Sequence, residues 1–104
     1  MDMARNNFGY VLASKMLVNG RRSVGFMYHE PADDDQDSGW RFFCGEEDDD
    51  YVNNPDNIGV YDVSTILDID GSIDGYLDSK VGMAFERNDR GFFDVVDDFV
   101  FGGE

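Results

Sequence analysis

The sequence predicts an α+β domain, with one mainly antiparallel sheet of about five strands and one or two short helices between residues 62 and 78. Three observations carry this expectation. Apolar side chains alternate with period two in "SVGFMYHE" (Ser23 to Glu30) and in "WRFFCG" (Trp40 to Gly45). Helical i, i+3, i+4 spacing occurs at Val63, Ile66 and Leu67, and again at Ile73, Tyr76 and Leu77. Glycine, asparagine and proline clusters separate these runs. With 41% hydrophobic and 14% aromatic residues, the chain has the apolar content that disordered acidic tails lack. A chain of 104 residues is one domain's worth, and it buries roughly two thirds of its unfolded surface without metal or disulfide staples. The expectation is a single domain over residues 1–104.

The elements follow in order. Tyr10 to Ala13 reads as a strand, and "SKMLVN" either extends it or makes one helical turn before Asn19-Gly20, a dipeptide that favours hairpins. In the next strand Val24, Phe26 and Tyr28 share one face, and Gly25, Met27 and His29 the other. "PADDDQDSG" is a polar, proline-led connection. The third strand places Trp40, Phe42 and Cys44 on one face and Arg41 and Phe43 on the other. Residues 46–60 read as irregular or partly helical, with "NNPDN" as a turn cluster. Asp62 is an N-cap for "VSTILDI", and Gly71 and Gly75 break the helix that follows. "KVGMAFER" (Lys80 to Arg87) is a strand, "NDRG" a hairpin turn, and "FFDVVDDFVF" a closing strand.

Charge narrows the partners. The formal net charge is −15, from 23 acids against eight bases, so self-repulsion is strong and stability is expected to rise with salt. Free nucleic acid and acidic membrane surfaces are disfavoured, whereas a basic protein would be steered to the chain quickly. The acids are unevenly placed: between Glu30 and Asp62 twelve acids face one base, Arg41. A single cysteine, Cys44, rules out an intramolecular disulfide and a cysteine-based zinc site. The start "MDMARNNFGY" carries neither a long apolar run nor a cleavage-site pattern, and no run approaches a membrane span, so the expected location is the cytoplasm.

Each candidate chemistry competes with a plainer account. From Asp70, "DGSIDGYLDSKV" puts Asp70, Ser72, Asp74 and Asp78 at calcium-loop positions one, three, five and nine, but Val81 stands where a bidentate glutamate belongs. Paired carboxylates could serve a hydrolase or hold a divalent ion, yet 23 acids make proximity uninformative, and Glu46 to Asp50 reads as a solvated turn. His29, the lone histidine, has no nucleophile signature near it and suits a hydrogen-bonded strand edge. Cys44 suits a buried thiol, and no glycine fingerprint or phosphate-loop lysine accompanies "GSIDG". No catalytic, cofactor or metal residues are assigned.

Recognition of a protein partner fits best. Tryptophan, tyrosine and arginine are enriched at interface hot spots, and charged rims speed encounter. The candidate contacts are Asp34, Asp35 and Asp37, then Trp40 and Arg41, then Glu46, Glu47, Asp48, Asp49 and Tyr51. For Trp40 the competing role is in the core, with Arg41 paired to a nearby acid. Alternatives from other classes are a divalent-metal-binding protein or hydrolase using surface carboxylates, and a structural or assembly protein.

The ordered series "ASKMLVNGRRSVGFMYHE", "DSGWRFFCGEEDDDYVNNPDNIGVYDVSTI" and "LDSKVGMAFERN" resembles the bacterial family first catalogued as domain of unknown function 2185 and grouped with the immunity protein 33 domains. The resemblance runs from about Tyr10 to Val95, and its most specific elements are Asp37 to Asp62 and "VGMAFER". It implies a small, non-enzymatic cytoplasmic protein that binds and neutralises a toxin of a bacterial polymorphic toxin system, and it carries no catalytic residues or cofactors. From charge alone, the fitting partner is a basic protein such as a nuclease, whose phosphate-binding surface the carboxylates would occupy.

Overall fold

A computed structural model describes residues 8–96. Strand β1 (Tyr10–Ser14) passes straight into helix α1 (Lys15–Gly20). The turn is set by Ser14, whose Oγ accepts from the Leu17 N–H at 3.1 Å and caps the helix. The helix closes on Arg21, which takes a left-handed conformation at φ 48° and donates its N–H to the carbonyls of Leu17 and Val18. The hairpin expected at Asn19-Gly20 is therefore absent. The dipeptide ends a helix instead, because one helical turn carries Leu17 into the core, where it is fully buried.

The remaining strands are β2 (Phe26–His29), β3 (Asp37–Phe43), β4 (Ile58–Asp62), β5 (Ala84–Arg87) and β6 (Phe93–Val95). Between β3 and β4 lie a single-turn helix α2 (Asp49–Val52) and a 3-10 turn at Pro55–Asn57. Helix α3 (Val63–Ile69) and a 3-10 helix (Gly71–Tyr76) follow β4. The six strands form one sheet in the order β4-β1-β3-β2-β5-β6. All neighbours are antiparallel except β1 and β3, second and third in the sheet, which are parallel.

The α+β class stands, and the sheet is mainly antiparallel as expected, with six strands where about five were expected and one parallel pair among them. The unforeseen strand is β4. Its Gly59 and the adjoining Asn-Pro cluster weaken the local strand signal, and pairing with β1, from Tyr10↔Asp62 to Ser14↔Ile58, makes the strand. Strand β5 is shorter than Lys80 to Arg87, since the Met83 N–H turns back to the Lys80 carbonyl. The hairpin at residues 88–91 joins β5 to β6 as expected. Residues 97–101 of the expected closing strand lie outside the described part of the chain.

The sheet has two unlike faces. On one, Val11, Ala13, Trp40, Phe42, Met27 and Phe85 pack against Leu17 of α1, Val63 and Ile66 of α3, and Ile73 and Leu77. The Asp62 carboxylate caps α3 by accepting from the Ser64 N–H at 2.9 Å, and Asp70 caps the 3-10 helix through Ser72. The two helical pieces are separate, as expected, with the break at Asp70-Gly71, whereas Gly75 lies within the 3-10 helix. His29 stacks on Trp40 with centroids 4.8 Å apart, and its ring nitrogens lie 2.9 Å from the Ser79 carbonyl and 3.0 Å from that of Ser38. It is hydrogen-bonded as expected, but on an inner strand and not an edge.

Candidate functional site

The opposite face carries Leu12, Arg41, Phe43, Phe26, Tyr28 and Glu86, side by side through the strand registers. The three helical elements with buried residues all lie on the other side, and α2 buries none of its own. Two neighbourhoods divide this face.

At one end Arg41 is 2% exposed. Its guanidinium forks onto Asp37, Nη1 to Oδ1 at 2.9 Å and Nη2 to Oδ2 at 2.8 Å, while Nε donates to Glu30 at 2.5 Å. Asp37 also accepts from the N–H groups of Asp33 and Gly39. The hydrogen bonds from Arg41, opposed by burial and helped by those two N–H groups, bring the Asp37 carboxyl down to about 2. Burial and the Glu30 carboxylate push the neighbouring Tyr28 phenol up to about 12, against the pull of Arg41. This cluster ties the 31–36 connection to the sheet.

At the other end Phe26, Tyr28 and Phe43 line the floor of a cleft of about 450 Å3, walled by Gly25, Gly45, Glu47, Asp49, Val52 and Glu86. The Tyr28 and Phe43 rings are stacked, with centroids 6.2 Å apart and planes 12° apart. Gly25 makes this geometry possible, because a Cβ there would stand 2.2 Å from the Cys44 carbonyl oxygen. Glu47 fixes the cleft's corner by accepting from the Ser14 hydroxyl and from the N–H groups of Cys44 and Gly45, both at 2.9 Å. Partial burial opposes its charge, yet these hydrogen bonds hold its carboxyl below the usual range. Burial raises the adjacent Cys44 thiol.

The ten candidate contacts separate into three groups. Asp37, Trp40 and Arg41 are buried, so they build the fold and offer no surface. Trp40 belongs to the core and donates its indole N–H to the Leu77 carbonyl at 3.3 Å. Arg41 lies off the core face because the period-two pattern is right, but the acids around it draw it inward. Asp34 and Asp35 are exposed at the start of β3, where Asp34 accepts from the Tyr10 hydroxyl. Glu46, Glu47, Asp48, Asp49 and Tyr51 follow its far end, next to the cleft.

The acid run is more than a solvated turn. Glu46 pairs with Arg22 at 2.8 Å, Glu47 anchors the loop, and Asp48 caps α2 through the Tyr51 N–H. Sequence reasoning missed Phe26, Tyr28, Phe43, Val52 and Glu86 as site residues, since only the strand pairing brings them together. The alternation of "FMYH" hinted at a second half-buried face.

The calcium-loop geometry is not formed. Asp70 instead accepts from the Val24 N–H and pairs with Arg87 at 2.6 Å. Among the described residues no group of three or more His, Cys, Asp or Glu side chains is set to hold a metal ion, and no helix is long and apolar enough to cross a membrane. A family model described as the immunity protein Imm33 domain matches residues 11–97. No curated protein and no solved structure matches the chain.

Proposed function

Because this chain belongs to the family of immunity protein Imm33 domains, we propose that it neutralises a toxin by binding it, without catalysis, through its acidic surface. The family match over residues 11–97 is the observation that carries this reading. Two features support the finer statement that the toxin is a basic protein. The net charge of −15 favours fast association with a basic surface, and the sheet face away from the core helices offers aromatic side chains bordered by carboxylates. Tyrosine and phenylalanine supply contact area at low entropic cost, and a charged border speeds encounter with a complementary surface.

Co-expression with the protein encoded beside it tests the proposal. That protein alone is expected to arrest growth, this chain to restore it, and the two to co-purify at low salt. Growth arrest that persists despite folded, abundant chain, with no complex recovered, overturns the reading. Association should also slow steeply as ionic strength rises.

A further inference from the structure

Across the face away from the core helices, one register row reads Asp94, Glu86, Phe26, Phe43, on β6, β5, β2 and β3. Directly opposed side chains on neighbouring strands sit about 5 Å apart at Cβ, and like charges so placed repel. Asp94 and Glu86 are such a pair, both exposed, and Asn88 donates to Asp94 at 3.2 Å. Beside them Phe26 lines the cleft together with Tyr28, Phe43 and Asp49. The cleft is therefore aromatic on its floor and bordered by the carboxylates of Glu47, Asp49 and Glu86.

A group that satisfies all of these surfaces is planar, cationic and rich in N–H donors. A guanidinium stacks flat on ring faces and forks onto carboxylates, whereas an ammonium meets both only as a compact point charge. The chain builds the same arrangement elsewhere for itself: Arg87 lies 4.2 Å over the centre of the Phe93 ring and pairs with Asp70. We propose that this cleft is the seat for an arginine side chain of the bound toxin, stacked on Phe26 and Phe43 and bonded to Glu86, with Asp94 and Asp49 adding charge. This rests on the immunity reading for its biological partner and on charge complementarity for its chemistry. Neutralising the Glu86/Asp94 repulsion adds to the attraction of the bound state.

The probe is N-acetyl-arginine amide, titrated into the 15N-labelled full chain and followed by amide chemical shifts. Saturable shifts centred on Gly25, Phe26, Gly45 and Glu86 are expected, with N-acetyl-lysine amide weaker and neutral N-acetyl-norleucine amide inactive there. Glu86→Gln and Phe26→Leu should each weaken binding about two- to five-fold, and Asp68→Asn, exposed on α3 across the sheet, should leave it unchanged. Retained amide dispersion checks that each variant is folded. Equal shifts with the norleucine compound, or unsaturable shifts spread over residues 33–35 and 46–50, overturn the proposal. If the chain rescues cells but the arginine probe does not seat in the cleft, this inference fails and the immunity reading stands. If the probe seats but no toxin is neutralised, the immunity reading fails and the chemistry of the cleft stands.

Discussion

Arg41 reaches back along its own strand to grip Asp37, four residues earlier, with two parallel hydrogen bonds of 2.8 and 2.9 Å. A regular strand would hold those positions roughly 13 Å apart. The reach is shortened because β3 bulges against β1: Tyr10 pairs with Asp37 and Leu12 with Arg41, so β1 advances two residues while β3 advances four. Gly39 sits inside the bulge at φ 88°, a conformation that admits glycine readily.

Arg41→Met should destabilise the domain by about 3–5 kcal/mol, because it leaves the Asp37 carboxylate, with no exposed side-chain surface, deprived of its cation. The double variant Asp37→Asn, Arg41→Met should lose less than Arg41→Met alone. Urea unfolding of the three proteins measures this, and a double variant that loses as much as Arg41→Met or more would show that the uncompensated Asp37 charge is not the source of the loss.

The same pair sets an acid limit. The Asp37 carboxyl is held at about 2, below its ordinary 3.8, first by Arg41. The unfolded chain thus binds a proton there before the folded one does. Its contribution, on the order of 2 kcal/mol, is fully present above about pH 4 and is lost as pH falls through about 2. Unfolding free energies measured from pH 5 downward should fall less steeply in Asp37→Asn than in the parent.

Arg21 ends α1 in a left-handed conformation that glycine adopts without strain. Its pairing with Asp68 at 3.2 Å is exposed on both sides and adds little. Arg21→Gly should therefore raise stability by up to about 1 kcal/mol. A thermal melt that shows a fall would mean that the exposed ion pair outweighs the backbone term.

Gly25→Ala should destabilise by about 1–3 kcal/mol, since the new Cβ would drive the β2 entry away from the Cys44 carbonyl. It should also disturb the cleft. Unchanged Tyr28 and Phe43 side-chain shifts in this variant would count against a rigid floor.

Local rules made much of the helical half legible. Asp62 caps, Val63 and Ile66 are buried, and the chain breaks at Gly71, each as short-range spacing predicts. The faces of β3 were also legible, with Trp40 and Phe42 inward. The parallel pairing of β1 with β3, the strand nature of "IGVYD" and the burial of Arg41 were not. Each depends on partners distant in the chain, and period two marks a face without naming the neighbour across it. The candidate site suffered most. Its acids stand out in the sequence, but its aromatic floor is assembled from β2 and β3 only by their register.

The interior position of β1, between β4 and β3, has a consequence for how the protein comes into being. Val11 pairs with Tyr61, and Ala13 with Phe42, so a strand near the start of the chain finds its two neighbours only after β3 and β4 exist. During synthesis its apolar edge groups wait exposed while later residues emerge, and β2, β3 and the β5 hairpin can associate without it. The nucleus expected for folding is thus the antiparallel half, with β1 threading in last between β3 and β4 and sealing the core beneath α1 and α3.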